Sequence, residues 1–267
     1  MTASNGSEAM VEPVTIGRAK LYLGDCRDIL PTLGKVDAVI CDLPYGTTQN
    51  KWDCLLPLGE LWASYRRICS GAVILTAAQP FTTRLIASNE SGFRYSWVWH
   101  KSRPTGFLNA KLQPLRAHED VCVFYDAQPT YNPQFGEGSA NHVSKSGIAR
   151  IKGRSENYGA QYEIVEEVTE RKYPTTVLPF SAVSPSDVVH PTQKPVSLME
   201  YMVRTYTNAG DIVLDNCMGS GTTGVAAVQL GRQFIGIERE PKYFEIACDR
   251  IDKAQRQGDF FIDGEAA

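Results

Sequence analysis

The chain has 267 residues, with 27 Lys plus Arg against 30 Asp plus Glu and a net charge of −3; 43% of residues are hydrophobic and 21% are charged. That balance excludes a disordered chain, which combines few apolar residues with a large net charge, and it fits one globular domain with an elaboration or two small ones. The apolar runs are too short to span a bilayer, and the opening MTASNGSEAMVEP lacks the basic-then-apolar order of a secretion signal, so a cytoplasmic protein without a membrane segment is expected.

Residues 1–18 are expected to be a loose tail. Residues 20–23 alternate like a short strand and end in Gly24-Asp25, where Asp25 can cap a short helix running to Leu33. Residues 36–41 (VDAVIC) are apolar and β-rich, which suits a strand buried on both faces. Leu58, Leu61, Trp62, Tyr65 and Ile68 recur at helical spacing. Strands are expected at 72–76, 95–99 and 120–125, with a helix at 80–88. Residues 126–189 carry Pro, Gly, Ser and Asn with weak periodicity, which predicts a loop-rich insert. Order returns at Pro195 with a helix to about Thr207, a strand at 212–215, a helix at 222–230, a strand at 234–238 and a helix at 241–255. This alternation predicts an α/β, Rossmann-like fold with a mainly parallel sheet and helices on both faces. Such sheets bind ligands beyond the carboxyl ends of their strands.

Seven cysteines stand at 26, 41, 54, 69, 122, 217 and 248, none of them as C-x-x-C. They are expected to be buried, reduced thiols. The four histidines are scattered without metal-ligand spacing, and no metal is expected.

Two motifs fall at strand ends. In IVLDNCMGSGTTGVAAVQLGRQFIGIERE (212–240), a strand ends at Asp215, and Gly219, Gly221 and Gly224 open a helix as G-x-G-x-x-G. Glycine removes the Cβ that would block a close backbone approach and permits φ > 0 in the turn; a side chain at Gly221 is expected to collide with a bound cofactor. The exposed N–H groups of the helix start favour polar or anionic oxygens. Glu238, 19 residues after Gly219, ends the next strand, where a carboxylate can accept both ribose hydroxyls. The pattern leaves two adenosine cofactors open, a dinucleotide and S-adenosylmethionine (AdoMet).

The second motif, Asp42-Leu43-Pro44-Tyr45-Gly46, follows the VDAVIC strand. Pro44 fixes its own φ and holds Leu43 extended, which aims the Asp42 carboxylate and the Leu43 carbonyl into the crevice. Two acceptors beside the Tyr45 ring suit a planar ring bearing an exocyclic NH₂. The lone pair of such an amine is delocalised. Accepting hydrogen bonds from its two protons favours a tetrahedral nitrogen whose lone pair can face a methyl donor. Positioning then supplies much of the acceleration, and Asp42 stabilises the positive charge that develops on nitrogen.

With DLPY at 42–45 early and DNCMGSGTT at 215–223 late, the sequence resembles the permuted β-type amino-group DNA methyltransferases. HPTQKP (190–195), LGDCRDIL (23–30), WVWHK (97–101) and RAHEDVCVFY (116–125) look like further elements of that family, in its order, over nearly residues 20–255. Leu43 replaces the family's first Pro, and Asn216-Cys217 replaces Pro-Phe. The resemblance implies a catalytic half at 19–125, a target-recognition insert at 126–189, a cofactor-binding half at 190–256 in circularly permuted order, and a tail at 257–267. It implies that Asp215 with Gly219, Ser220, Gly221 and Thr222 holds the methionine part of AdoMet, Glu238 the ribose and Asp25 with Cys26 the adenine, with Lys194 near the cofactor carboxylate. Asp42, Leu43, Pro44 and Tyr45 would be catalytic, with Tyr45 stacking on a flipped base. Asp at the first motif position favours the adenine N6 amine over the cytosine N4 amine. The polar segment 47–57 is long enough to close over the pocket, where Trp52 either packs or anchors the loop.

Charge is segregated in mid-chain. Lys101, Arg103, Lys111 and Arg116 lie in one window without acids, and Lys145, Arg150, Lys152 and Arg154 in another. Both are expected to neutralise phosphates of double-stranded DNA. The resemblance is compatible with a homodimer, and the sequence leaves a cognate restriction enzyme open. A nicotinamide oxidoreductase would use the same glycine loop but leaves DLPY and both basic windows without a role. A non-catalytic DNA-binding module leaves the glycines and Asp42 without one.

Overall fold

The computed structural model describes residues 12–46, 53–137, 144–146, 149–155, 159–164, 167–169, 171–184 and 186–264. They divide into two compact units, one of Met1–Asn132 with Thr176–Ala267 and one of Pro133–Thr175.

In chain order the elements are β1 (Val14–Ile16), β2 (Ala19–Leu23), α1 (Cys26–Ile29), β3 (Ala38–Cys41), α2 (Leu58–Ile68), β4 (Val73–Ala77), α3 (Phe81–Ala87), β5 (Phe93–Thr105) and β6 (Arg116–Phe124). Six short strands follow: β7 (Gly136–Glu137), β8 (Ser144–Ser146), β9 (Ala149–Ser155), β10 (Gly159–Ile164), β11 (Glu167–Thr169) and β12 (Arg171–Lys172). The chain closes with β13 (Val177–Leu178), α4 (Val196–Tyr206), β14 (Ile212–Asp215), α5 (Thr222–Gln229), β15 (Gln233–Glu238) and α6 (Pro241–Gly264).

The first unit is built on a nine-stranded sheet in the order β1-β2-β15-β14-β3-β4-β6-β5-β13. The run from β2 to β4 is parallel throughout. β6 runs against β4 and β5, and β1 runs against β2. The strands separate their side chains by the period of two that a pleated chain imposes. Ala38 and Ile40 of β3, Ile74 of β4, and Val121 and Val123 of β6 join one core with α4, α5 and α6. Val39 and Cys41, Val73 and Leu75, and Cys122 and Phe124 join the opposite core with α1, α2 and α3. Each face is thus covered by three helices, which is why the strands are apolar on both sides. On α2 the buried residues Leu61, Trp62, Tyr65 and Ile68 follow the helical period. Each such large apolar side chain contributes about 1.5–3 kcal/mol by leaving water.

From β14 the chain winds through α5 to β15 on one side; from β3 it winds through α2 to β4 on the other. The neighbours β14 and β3 therefore flank a topological switch point, where the carboxyl ends of parallel strands open a crevice.

The expected insert at 126–189 is narrower in the structure. Residues 126–132 and 176–189 belong to the first unit, because Leu178 of β13 pairs with Trp99 and the Asn132 N–H bonds to the Thr205 carbonyl. The second unit consists of nested antiparallel pairs, β7 with β12, β8 with β11 and β9 with β10, where weak periodicity predicted loops. β5 also runs well past the expected 95–99, to Thr105, which pairs with Arg116 of β6 beyond an irregularity in register after His100.

Candidate active site

Four carboxylates stand in a row at the carboxyl ends of adjacent parallel strands: Asp25 just after β2, Glu238 ending β15, Asp215 ending β14 and Asp42 just after β3. All four line one cleft, together with Leu43, Pro44, Tyr45, Lys194, Gly219 and Thr222. The early turn and the late glycine loop, 170 residues apart, thus share a single crevice.

Asp42 is held from several sides. Its Oδ2 accepts from Lys194 Nζ at 2.7 Å, and its Oδ1 accepts from the Tyr45 hydroxyl at 2.9 Å and from the Thr76 hydroxyl. Lys194 Nζ also lies 3.3 Å from Glu119 Oε2, and Lys101 Nζ lies 2.6 Å from Glu119 Oε1. Two cations and two anions thus form a chain across the site, with the Lys101 and Lys194 side chains only 8% and 6% exposed. Burial opposes charge on Lys194, but Asp42 and Glu119 outweigh it and raise its pKa. Burial likewise opposes charge on Glu119, and Lys194 and Lys101 outweigh it, so its carboxyl titrates below the usual range. Ion pairs of this kind persist in the interior only when each charge keeps its partner.

Tyr45 stacks on Phe81 with ring centroids 5.1 Å apart and planes 19° apart, so it has at most one face to offer a base. Lys194 Nζ lies 5.4 Å from the Tyr45 ring centroid.

The glycine loop turns at Gly219 (φ +52°) and Gly221 (φ +76°), which begins α5 from the left-handed region. A Cβ at Gly219 would rest in ordinary van der Waals contact with the His190 ring, at 3.7 Å, without a clash. A Cβ at Gly221 would lie 2.9 Å from Ala247 Cβ, and one at Gly224 would lie 2.5 Å from Ile251 Cδ1. A side chain at Gly221 would thus collide with α6 itself, and one at Gly224 with α6 and Phe234 of β15, so these two glycines serve close packing around α5.

Glu238 accepts from the Gly219 N–H at 2.9 Å and the Glu240 N–H at 2.8 Å, while burial raises its pKa. Asp215 is buried and accepts from the Cys217 N–H at 3.1 Å; burial pushes its carboxyl up to about 6. Ser220 and Thr222 accept from Arg250 Nη1 of α6 at 2.9 and 3.2 Å, which fixes the loop to that helix. Asp25 caps α1 through the Arg27 N–H at 2.9 Å, and Arg27 holds its carboxyl below the usual range. Cys26, after it, is buried in the same wall of the cleft. Asn216, one of the departures from the late motif, accepts the Tyr65 hydroxyl at 2.6 Å.

Sequence reasoning missed Thr76, Glu119 and His190. His190 lines the cleft and packs edge-on against Tyr243 at 4.2 Å. Lys194, expected near the cofactor carboxylate, is ion-paired to Asp42. Lys101, expected at DNA phosphates, is buried against Glu119 and presents no charge to the surface. Arg103 near the end of β5, Lys111 on the connection and Arg116 at the start of β6 are exposed. Lys145 lies on β8, and Arg150, Lys152 and Arg154 on β9; their side chains lie outside the described residues. Residues 47–52, with Trp52, lie outside them too, while Asp53, at the return of that segment, accepts from the Gly46 N–H at 2.8 Å. Cys26, Cys41 and Cys122 are buried as expected, but Cys54 is exposed because it lines the open cleft.

The cleft lining carries Asp25, Asp42, Asp53, Asp215 and Glu238 against Lys194 and Arg239. That excess of carboxylates suits a ligand with cationic centres and hydroxyl donors.

A family model described as DNA methylase, of the N6/N4 type, matches residues 36–249. Among curated proteins, the type II methyltransferase M2.LlaDCHI of Lactococcus lactis subsp. cremoris is 37% identical over 113 residues, 41% of this chain and 42% of that protein. The chain spans about two fifths of the length of the curated relatives it matches. Among solved structures, the M1.HpyAVI–SAM complex is similar with a TM-score of 0.61 and 27% identity, covering 88% of this chain and 99% of that one. The cytosine-N4-specific PvuII DNA methyltransferase has the same fold, with a TM-score of 0.61 and 17% identity over 95% of this chain and 96% of that one.

Proposed function

The chain belongs to the DNA methylase family, and we propose on that footing that it is a site-specific DNA methyltransferase that methylates the N6 amine of a flipped adenine in duplex DNA, with AdoMet as cofactor. The observation that carries this reading is the meeting of Asp42-Leu43-Pro44-Tyr45 with Asp215, Gly219 and Glu238 in one cleft.

The donor set fits AdoMet. Asp215 would take the ammonium of the methionine part, Glu238 the ribose hydroxyls, and Asp25 with Cys26 the adenine edge. Gly219 lines the cleft without a side chain, so its backbone can lie close against the ligand. When bound, AdoMet supplies a methyl group activated on a sulfonium.

The protein's own residues prepare the amine. A carboxylate has roughly four acceptor positions. Thr76, Tyr45 and Lys194 occupy three on Asp42, which leaves a position on Oδ2 for one amine proton. The Leu43 carbonyl takes the other. Asp42 then faces the charge that grows on nitrogen, an electrostatic effect aimed at the transition state. Lys194 fixes the Asp42 carboxylate in place, and Glu119 holds Lys194, so both are positioning residues. The second unit would read the target sequence, with Lys145, Arg150, Lys152 and Arg154 at phosphates.

Incubation with methyl-labelled AdoMet and unmethylated DNA, followed by nucleoside analysis, tests the reading. N6-methyladenine is expected. N4-methylcytosine would overturn the choice of base, and absence of label the activity itself.

A further inference from the structure

The two longest strands of the sheet form a hairpin with two contrasting ends. At its root, Trp97, Trp99, Val121 and Val123 are buried, and Lys101 and Glu119 join the charge chain of the site. Beyond that root the connection turns through Gly106 (φ +95°) and a short 3₁₀ turn, Phe107–Asn109. There Phe107 is 68% exposed, Leu108 101% and Leu112 85%. Single exposed apolar residues are ordinary; three within six residues on a projecting tip are not.

The tip lies on the site side of the sheet. β6 runs against both β4 and β5, so β5 runs with β4, and its carboxyl end points the way the ends of β3 and β4 do. Phe107 is six residues from Lys101, a reach of at most about 20 Å.

The charge around the tip identifies its partner. Arg103, Lys111 and Arg116 are exposed there, and no Asp or Glu occurs from His100 to His118. A protein partner's interface core is depleted of charge. A polyanion with an apolar interior reachable between stacked rings is duplex DNA, and Phe and Leu are among the side chains that enter base steps as wedges.

We propose that the tip of the β5–β6 hairpin is the DNA wedge of this protein: Phe107, Leu108 and Leu112 enter the base stack at the target, while Arg103, Lys111 and Arg116 grip the flanking phosphates. The inference rests on the reading that the chain acts on a flipped base. An extruded base leaves a gap in the stack, and an apolar side chain filling it slows the base's return.

The test uses the full-length protein and the triple variant F107S/L108S/L112S. The tip is exposed, so the variant is expected to melt like the wild type and to bind AdoMet normally. On an unmethylated plasmid fragment, its kcat/KM is expected to fall at least about tenfold for the duplex and to stay within about twofold for the same DNA heat-denatured. Its salt slope of duplex binding should be unchanged, whereas R103A/K111A/R116A should flatten that slope by up to roughly three. Permanganate oxidation of thymines beside the methylated sites gives a second readout. Enhanced reactivity with the wild type and none with the triple serine variant supports the wedge.

Equal losses on duplex and denatured DNA, or equal permanganate reactivity, would overturn it. So would a wild-type dimer that the serine variant dissolves, since the tip would then be a contact between two copies. A wild type that methylates neither form of DNA overturns the proposed function, whereas wild-type methylation with an indifferent tip overturns the wedge alone.

Discussion

Lys194 Nζ lies 2.7 Å from Asp42 Oδ2 and joins two positions 152 residues apart in the chain. Neither charge tolerates burial alone, so each half of the site carries the counter-ion that the other needs. Lys194→Met leaves Asp42 and Glu119 facing one remaining ammonium, that of Lys101. Urea unfolding is expected to show a loss of about 3 kcal/mol, and adding Asp42→Asn, which leaves Glu119 paired with Lys101, to restore part of it. A loss below about 1 kcal/mol would put the pair in the class of surface ion pairs.

Asp42→Asn keeps the shape of the turn and leaves Lys194 paired with Glu119. Turnover should fall at least about a hundredfold, while AdoMet binding by calorimetry stays close to wild type. Undiminished turnover would remove Asp42 from the reaction.

The glycines of the loop should separate by what surrounds them. Gly221→Ala combines left-handed strain with contact against Ala247, and is expected to cost about 2–4 kcal/mol of stability. Gly219→Ala makes only an ordinary contact with the His190 ring, costs about 1–2 kcal/mol of strain, and should act mainly on AdoMet affinity. Thermal melts with and without AdoMet distinguish them; the reverse ranking would mean that the loop is misread.

Burial lifts Asp215 to about 6, above its unfolded value of 3.8. Between those values the folded chain holds a proton that the unfolded chain releases, so the contribution is greatest below about pH 4 and declines as pH rises through about 6. Stability at pH 7 is lowered by up to about 3 kcal/mol. Asp215→Asn should remove that slope in urea titrations from pH 4 to 7. In the proposed complex the AdoMet ammonium favours the carboxylate, so affinity should strengthen as pH rises to about 6 and stay flat in the variant.

The parallel strands were legible because burial on both faces leaves an unbroken apolar run, as in VDAVIC, and the strand–glycine–helix–strand order carries its own geometry. Thr76 was not legible: it is one hydroxyl at the end of an apolar strand, and only the pairing of β4 beside β3 brings it to Asp42. Lys101 looked like a surface cation because nothing local announces Glu119 as its partner across the hairpin. Gly221 shows the limit of a motif, since the pattern calls for an absent Cβ without saying whether ligand or helix fills the room. The strands of the second unit escaped notice because they are short and carry Gly, Ser and charged residues that read as loop.

The position of β14 and β15 has a consequence for synthesis. These late strands stand between β2 and β3, which leave the ribosome some two hundred residues earlier. Until β14 and β15 have been made, the nascent polypeptide holds two early strands with bare edges where the middle of the sheet will be, a state open to mispairing and suited to chaperone shelter. Maturation is therefore a single late closure, and a truncated product lacking the last strands would have no partial competence.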